Sequence, residues 1–392
     1  MYPTDPIQLV VLGATGSIGE STLKVIRKHR EHINLLGIAC YSSGDELLKI
    51  AQEFDVPHLA IFDESAWKNA SSHPSLPQDT KLHKGMEGLL ELATLPEATH
   101  IMFAMVGVTG LQPALASIEK SKQLILANKE ILVLAGELIA QKAKEKNAAL
   151  IPADSEHNAI HQCLQNAKME SVDKLLLTAS GGQFRNATRE DLANVTLEQA
   201  LKHPNWDMGP KVTIDSSTMA NKGLEIIEAH WLFGVSPEKI QVVVHPQSIV
   251  HSMVEFLDGS ILAQLSPPDM TFALQNAIFH PHRFPKVEET LDFQDPLQLD
   301  FHPPDESRFP CLRLAKEALI SGGSAPATFN AANEIAVQAF IDKLIPYIYI
   351  PQIIEKTLEG MPNQRPVNLP EILDADQLAR DIASEQITNS SH

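Results

Sequence analysis

The sequence predicts an α/β protein with a doubly wound parallel sheet at its N-terminus, a central α/β region with a second sheet, and an α-helical C-terminal region. Three observations predict this. Short apolar runs alternate with helix-period segments from Ile7 to Pro152, as in a parallel sheet with crossover helices. A glycine-rich turn, Gly13-Ala14-Thr15-Gly16-Ser17-Ile18-Gly19, follows the first apolar run at once. Beyond a proline-rich, aperiodic segment from Phe284 to Pro310, the remaining periodic runs read as helices.

The elements follow in order. Ile7–Leu12 is an apolar strand, and Ser21–Arg27 has a helical pattern. The glycines between them permit a tight turn and the close approach of a pyrophosphate to backbone N–H groups, which makes the N-terminal sheet Rossmann-like. Asn34–Cys40 is a second strand, ending in Tyr41-Ser42-Ser43-Gly44-Asp45. An NAD site usually places an acid there for the ribose 2′-hydroxyl, and serines in its place tilt the expectation to NADP, although no basic residue welcomes a 2′-phosphate. Ala60–Phe62 reads as a strand and Ala70–Asp79 as a polar loop. His100–Val106, Gln123–Ala127 and Ala148–Pro152 are strands, with helices over Leu111–Lys120 and Asn128–Lys146. Ligands of such sheets sit beyond the carboxyl ends of the strands. Asn128-Lys129-Glu130 and Asp154-Ser155-Glu156 lie at those ends; the first could merely start a helix.

In extended backbone Asp154 and Glu156 share a face, an oxygen-rich arrangement that suits Mg²⁺ or Mn²⁺. A helix cap before Glu156-His157-Asn158 is the alternative. His157 and His161 read as helix-packing or surface residues. Leu175–Thr178 is a buried-type strand running into Ser180-Gly181-Gly182, either an anion-binding nest or an ordinary turn. The segment 183–210 reads as a long polar loop ending in His203-Pro204-Asn205-Trp206-Asp207-Met208-Gly209-Pro210. A loop of that length is a lid or disordered, and Trp206 either covers a site or packs in the core.

Lys211–Ile214 is β-prone. Asp215-Ser216-Ser217-Thr218 then reads as the N-cap of a helix on which Asn221, Lys222 and Glu225 share one face. Hydroxyls, an amide and a cation at a helix N-terminus hold phosphate; Glu225 suggests a metal beside it, or only an ion pair with Lys222. Ile240–His245, Ser248–Phe256 and Ser260–Leu265 read as strands of a second sheet apolar enough to form a dimer seam, the last two joined by a hairpin turn at Asp258-Gly259. Helices follow over Leu312–Ile320, Ala325–Ile341, Pro351–Glu359 and Leu369–Ser384, with Pro351 suited to a first helical position and the tail 386–392 expected to be disordered.

Bulk properties narrow the function. Lys plus Arg is 31 and Asp plus Glu is 49, a net charge of −18, which disfavours nucleic acid and anionic membranes as partners. An anionic substrate then needs a locally positive pocket. Cys40, Cys163 and Cys311 form neither a disulfide framework nor a metal spacing, which points to reduced thiols and a cytoplasmic location. No secretory signal opens the sequence, and the apolar runs fall short of the ~20 residues of a membrane span.

Taken together, GATGSIG, ILANKE, DSEHNAI, LLLTASGG, HPNWDMG, DSSTMANKGLEIIEA, HPQSIVHSMV, DGSILAQL and NAANE occur in this order over nearly the whole chain. In this the sequence resembles the 1-deoxy-D-xylulose 5-phosphate reductoisomerase family. The resemblance implies an NADPH- and metal-dependent homodimeric enzyme acting on a small phosphorylated ketose. It implies an NADPH-binding domain over 1–153, a catalytic, metal-binding and dimerisation domain over 154–285, a linker over 286–311 and a helical domain over 312–392. Carried onto this chain, Thr15, Gly16, Ser17, Ile18, Asn128, Glu130 and Gly209 contact the cofactor. Asp154, Glu156 and Glu225 hold Mg²⁺ or Mn²⁺ and, with Lys129, form the catalytic group. Lys129, Ser155 and Glu156 meet the reacting end of the substrate; Ser180, Ser216, Asn221 and Lys222 meet its phosphate. His203, Trp206, Met208 and Gly209 belong to a closing flap. Tyr41-Ser42-Ser43 departs from the glycine and basic or amide residues that many relatives carry. Two other readings are another GATG-type NADP enzyme such as a semialdehyde dehydrogenase, which needs a nucleophilic cysteine, and a non-catalytic dinucleotide sensor, which has no use for the three carboxylates.

Overall fold

A computed structural model describes residues 5–206 and 208–390. Residues 1–4, Asp207 of the flap segment and residues 391–392 of the tail lie outside the described residues. The chain divides into two units. The first comprises Met1–Ile131, Ile139–Asn158 and Asp269–Thr290; the second comprises Leu132–Leu138, Ala159–Pro268 and Leu291–His392.

Alternation in the first stretch produces β1 (Ile7–Leu12), α1 (Ser17–Lys28), β2 (Ile33–Cys40), α2 (Gly44–Phe54), β3 (His58–Ile61), α3 (Glu64–Ser71), β4 (Lys81–Lys84) and α4 (Gly85–Ala93). It continues with β5 (His100–Phe103), α5 (Leu111–Glu119), β6 (Gln123–Leu126), α6 (Glu130–Lys146), β7 (Leu150–Pro152) and the start of α7 (Ser155–Cys163). The seven strands are parallel, in the order β4-β3-β2-β1-β5-β6-β7. Leu9, Val10, Val11 and Leu12 are fully buried, because crossover helices cover both faces and each such side chain contributes roughly 1.5–3 kcal/mol on burial. Strand order reverses between β1 and β5, the switch point where such sheets bind ligands.

The glycine-rich turn lies at that point. Gly13 has φ +101°, and a Cβ there would sit 2.5 Å from the Ala104 carbonyl oxygen. Gly13→Ala is therefore expected to lower stability by about 1–3 kcal/mol, read as a drop in Tm, and to weaken dinucleotide binding; an unchanged Tm would refute the close approach.

The second unit holds β8 (Val172–Ala179), short helices α8 (Arg189–Ala193) and α9 (Leu197–Ala200), α10 (Pro210–Thr218), α11 (Ala220–Phe233), β9 (Ile240–Val244), β10 (Val250–Phe256) and β11 (Ile261–Leu265). Its sheet runs β11-β10-β8-β9, with β8 parallel to β9 and β10 antiparallel to both β8 and β11. α12 (Met270–Phe279) belongs to the first unit, where Leu274, Ile278 and Phe279 join the core with Leu23 and Ile26 of α1. α13 (Pro310–Ser321), α14 (Ala325–Ile341), α15 (Tyr349–Gly360) and α16 (Leu369–Ser390) complete the second unit. α14 packs against α15 and α16, and α13 packs on α11. No helix among the described residues is long and apolar enough to cross a membrane.

Several elements depart from the sequence reading. The long polar loop contains α8 and α9, each opened by a capping box, Thr188 with Asp191 and Thr196 with Gln199. Lys211–Ile214 is helical, not extended: Pro210 stands at N1 and Thr213 and Ile214 are buried, so packing overrides β-branched propensity. Asp215–Thr218 is consequently the last turn of α10 rather than an N-cap. Part of the expected 70–79 loop belongs to α3, and α12 carries no strong amphipathic signature. α15 starts at Tyr349, two residues before Pro351. α16 continues to Ser390, through most of the tail expected to be disordered.

Candidate active site

In the first unit, β1 delivers the glycine-rich turn to the amino end of α1. Gly16 is the N-cap and no side chain caps the helix. Gly16 and Ser17 are exposed, Thr15 and Ile18 half-buried. Amides at an uncapped amino end fit a pyrophosphate. Asn128, at the end of β6, is buried; its Nδ2 donates to the Met105 and Gly107 carbonyls at 2.6 and 3.0 Å, and its Oδ1 accepts from the Ile131 N–H. The side chain thus pins the loop after β5 and starts α6. Glu130 is buried in the first turn of that helix.

Asp154 follows β7 and opens α7. One of its oxygens accepts from the Ser155 N–H at 3.1 Å. The other meets the Lys129 ammonium and the His157 ring, the latter at 3.3 Å. Burial would raise the Asp154 carboxyl, but the Lys129 charge and then His157 outweigh it and hold the group below the usual carboxylate range. Ser155 donates to Glu156. Glu156 lies in the first turn of α7, so the extended-strand argument for its pairing with Asp154 is incorrect: β7 ends at Pro152. His157 is fully buried against Asp154 rather than on the surface. Its i,i+3 spacing from Asp154 was the available signal.

The second unit carries a compact polar cradle. Gly181 and Gly182 have φ +79° and +66°, a left-handed nest after β8. A Cβ on Gly182 would meet the Ser216 carbonyl oxygen at 2.8 Å, so the nest lies directly on the last turn of α10. His203 Nδ1 accepts from the Asn205 and Trp206 N–H groups at 3.2 and 3.0 Å. Burial, and then the Arg185 charge, lower His203 to about 4. The neutral ring therefore carries its proton on Nε2 and donates it to Ser180 Oγ at 3.1 Å, where the Gly182 N–H also donates. With both lone pairs taken, the Ser180 hydroxyl keeps its own hydrogen for an incoming acceptor.

Met219 joins α10 to α11 in the left-handed region at φ +64°. In the first turns of α11, Asn221 donates to Glu225 at 2.6 Å and Lys222 pairs with its other oxygen. Glu225 and Lys222 are buried, Asn221 and Ser216 half-buried. Helical spacing alone predicts this face. The flap is anchored as well: Asn205 donates to the Pro246 carbonyl and Ser248 Oγ at 2.7 and 2.8 Å, and the half-buried Trp206 ring meets His251 edge-on at 6.1 Å. Asn205 and Ser248 had no sequence signal beyond their motifs. Gly209 caps α10, and a Cβ there would meet nothing within 4 Å. His245 and His251 bond to the Asp300 and Ser266 carbonyls, as strand-edge residues do.

The donors fit the groups the sequence suggests. Carboxylates fit a hard divalent cation. Hydroxyl, amide and ammonium donors at a nest and a helix start fit a phosphate. Burial raises the Cys40, Cys163 and Cys311 thiols to about 12, 11 and 12, so no cysteine is a ready nucleophile.

The chain is similar to known proteins over nearly its whole length. Residues 9–136 match the family model described as 1-deoxy-D-xylulose 5-phosphate reductoisomerase. Residues 150–233 and 265–382 match models of C-terminal domains of the same enzyme. The 1-deoxy-D-xylulose 5-phosphate reductoisomerase of Dechloromonas aromatica is 47% identical over 386 residues, covering 97% of each chain. That of Clostridium perfringens (strain 13) is 45% identical, covering 97% of this chain and 99% of its own. The solved Zymomonas mobilis enzyme in complex with NADPH superposes with a TM-score of 0.92 at 41% identity, covering 98% of this chain and 99% of its own. A DOX-P reductoisomerase in complex with NADPH, fosmidomycin and magnesium has a TM-score of 0.92 at 39% identity, covering 97% and 98%.

Proposed function

The chain belongs to the 1-deoxy-D-xylulose 5-phosphate reductoisomerase family, and from that premise we propose how its own residues carry the reaction. The enzyme converts 1-deoxy-D-xylulose 5-phosphate to 2-C-methyl-D-erythritol 4-phosphate with NADPH and a divalent metal, in isoprenoid precursor biosynthesis. The observation that carries the site assignment is the Ser180 hydroxyl, held as an acceptor by His203 and Gly182 and left with a hydrogen to give.

Ser180, Ser216, Asn221 and Lys222 take the substrate phosphate. Anchoring far from the reacting carbons supplies binding energy that orients them. Asp154, Glu156 and Glu225 would hold the cation, an all-oxygen set suited to Mg²⁺ and equally to Mn²⁺. When bound it supplies a Lewis acid for the substrate carbonyl and neighbouring hydroxyl. His157 orients Asp154 from behind. Lys129 and Ser155 face the reacting end of the substrate. Thr15, Gly16, Ser17 and Ile18 receive the NADPH pyrophosphate, while Asn128 and Glu130 shape the neighbouring loop. NADPH supplies the hydride. His203, Trp206, Met208 and Gly209 close over the substrate and exclude water while the rearranged aldehyde exists. The partition into 1–153, 154–285, 286–311 and 312–392 is our functional division. A homodimer with its seam on the second sheet, and a cytoplasmic location, complete the reading. The deciding experiment is NADPH oxidation with the phosphorylated ketose, with and without chelator; activity that survives chelation would overturn the metal assignment.

Cofactor choice follows from the end of β2. Tyr41 is exposed and stacks on Phe62 at 5.3 Å; Ser42 and Ser43 are exposed; Asp45 and Glu46 open α2. The strand tip itself, Tyr41-Ser42-Ser43, carries neither an acid to repel a 2′-phosphate nor a cation to attract it. NADPH is expected to be preferred over NADH in kcat/KM, and introducing an acid by Ser42→Asp should erode that preference. Equal efficiency with both cofactors in the unaltered enzyme would refute it.

A further inference from the structure

We propose that the buried Asp215–Asn333 hydrogen bond is a positioning contact, through which α14 sets the last turn of α10 and with it the phosphate-binding residues. The proposal rests on the reading that Ser180, Ser216, Asn221 and Lys222 bind the substrate phosphate.

Neither side chain reaches solvent: Asp215 is 1% and Asn333 0% exposed. Asn333 Nδ2 donates to Asp215 Oδ1 at 2.8 Å, and Lys211 Nζ pairs with Oδ2 at 3.0 Å. Asn333 Oδ1 has no hydrogen-bond partner among the described residues. A buried amide left half-satisfied is costly, so what α14 gains from this residue is the bond to Asp215. Asp215 immediately precedes Ser216. The other hydroxyls of that turn are engaged with α10 itself, Ser217 with the Ile214 carbonyl at 2.6 Å and Thr218 with the Asp215 carbonyl at 3.2 Å.

The turn sits between two constraints. On one side the Gly181-Gly182 nest touches the Ser216 backbone. On the other, Met219 holds a left-handed conformation, which persists in a non-glycine residue only where the surroundings impose it. A shift of Asp215 would therefore move Ser216 and rotate the start of α11, where Asn221 and Lys222 lie. The carboxylate's charge reaches further, since burial and then Asp215 raise the Cys311 thiol of α13.

The test compares Asn333→Ala, the reciprocal double variant Asp215→Asn with Asn333→Asp, and Ser216→Ala as a control on the phosphate reading. Asn333→Ala is expected to raise KM for the phosphorylated ketose about ten- to a hundredfold, with kcat reduced less and KM for NADPH within about twofold. The reciprocal variant keeps an amide–carboxylate bond and should return KM for the ketose toward the original. A folded Asn333→Ala enzyme with unchanged KM for the ketose overturns the proposal, whatever its Tm, because a merely structural pair changes stability alone. If Asn333→Ala does not fold, the reciprocal variant decides: normal KM supports the proposal, and a raised KM or failure to fold overturns it. Should Ser216→Ala leave KM for the ketose unchanged, the phosphate reading itself falls, an outcome distinct from failure of the positioning pair.

Discussion

Glu225→Gln is expected to abolish turnover while leaving NADPH binding intact. Glu225 is fully buried, and both its oxygens are gripped, by Asn221 and Lys222. The substitution preserves shape and removes the Glu225 charge from the carboxylates proposed to hold the cation. Losing ~4 kcal/mol of transition-state stabilisation corresponds to on the order of 10³-fold in kcat/KM, and loss of the ion could exceed that. The glycine-rich turn belongs to the other unit, so a fluorescence titration with NADPH should be unchanged. Lys222 is left buried beside a neutral amide, which should lower Tm, since removing one partner of a buried pair costs about 3–5 kcal/mol. Direct titration with Mn²⁺ separates the two effects. A variant that binds metal as before and keeps metal-dependent activity would remove Glu225 from the ligand set.

Trp206→Ala should harm turnover far more than folding. The ring is half-buried, touching His251 edge-on, and the segment hangs on His203 Nδ1 and on Asn205. Closure over substrate would bury the rest of the indole, and truncating a packed aromatic costs about 3–5 kcal/mol. A loss of roughly 2–4 kcal/mol in kcat/KM is expected, or about 30- to 1000-fold, with NADPH affinity near normal. Tm without ligand should move little, because few core contacts depend on the loop. A variant that unfolds well below the parent yet turns over normally when folded would make Trp206 a core residue and refute the flap.

Much of this was legible in the sequence for local reasons. GATGSIG declares its turn because only glycine tolerates φ +101° with a carbonyl oxygen 2.5 Å from a would-be Cβ. Asn221, Lys222 and Glu225 meet because i,i+3 and i,i+4 positions share a helix face. The same local logic misassigned Lys211–Ile214, whose β-branched residues favour strand until Pro210 and the burial of Thr213 and Ile214 make them helix. It also reached the pairing of Asp154 with Glu156 through a strand that ends two residues earlier, although the first turn of α7 does bring oxygens of the two carboxylates within 4.8 Å.

Partnerships lay beyond it. His203 sets the Ser180 hydroxyl from 23 residues away, and Asn333 holds Asp215 from 118. The sequence by itself determined where the backbone must turn, which strands are buried and which chemical groups are present, since these follow from short-range sterics, periodicity and composition. Only the tertiary structure decided which side chain satisfies which: a buried polar atom must find a partner, but that partner is selected by packing between elements distant in sequence and leaves no local trace.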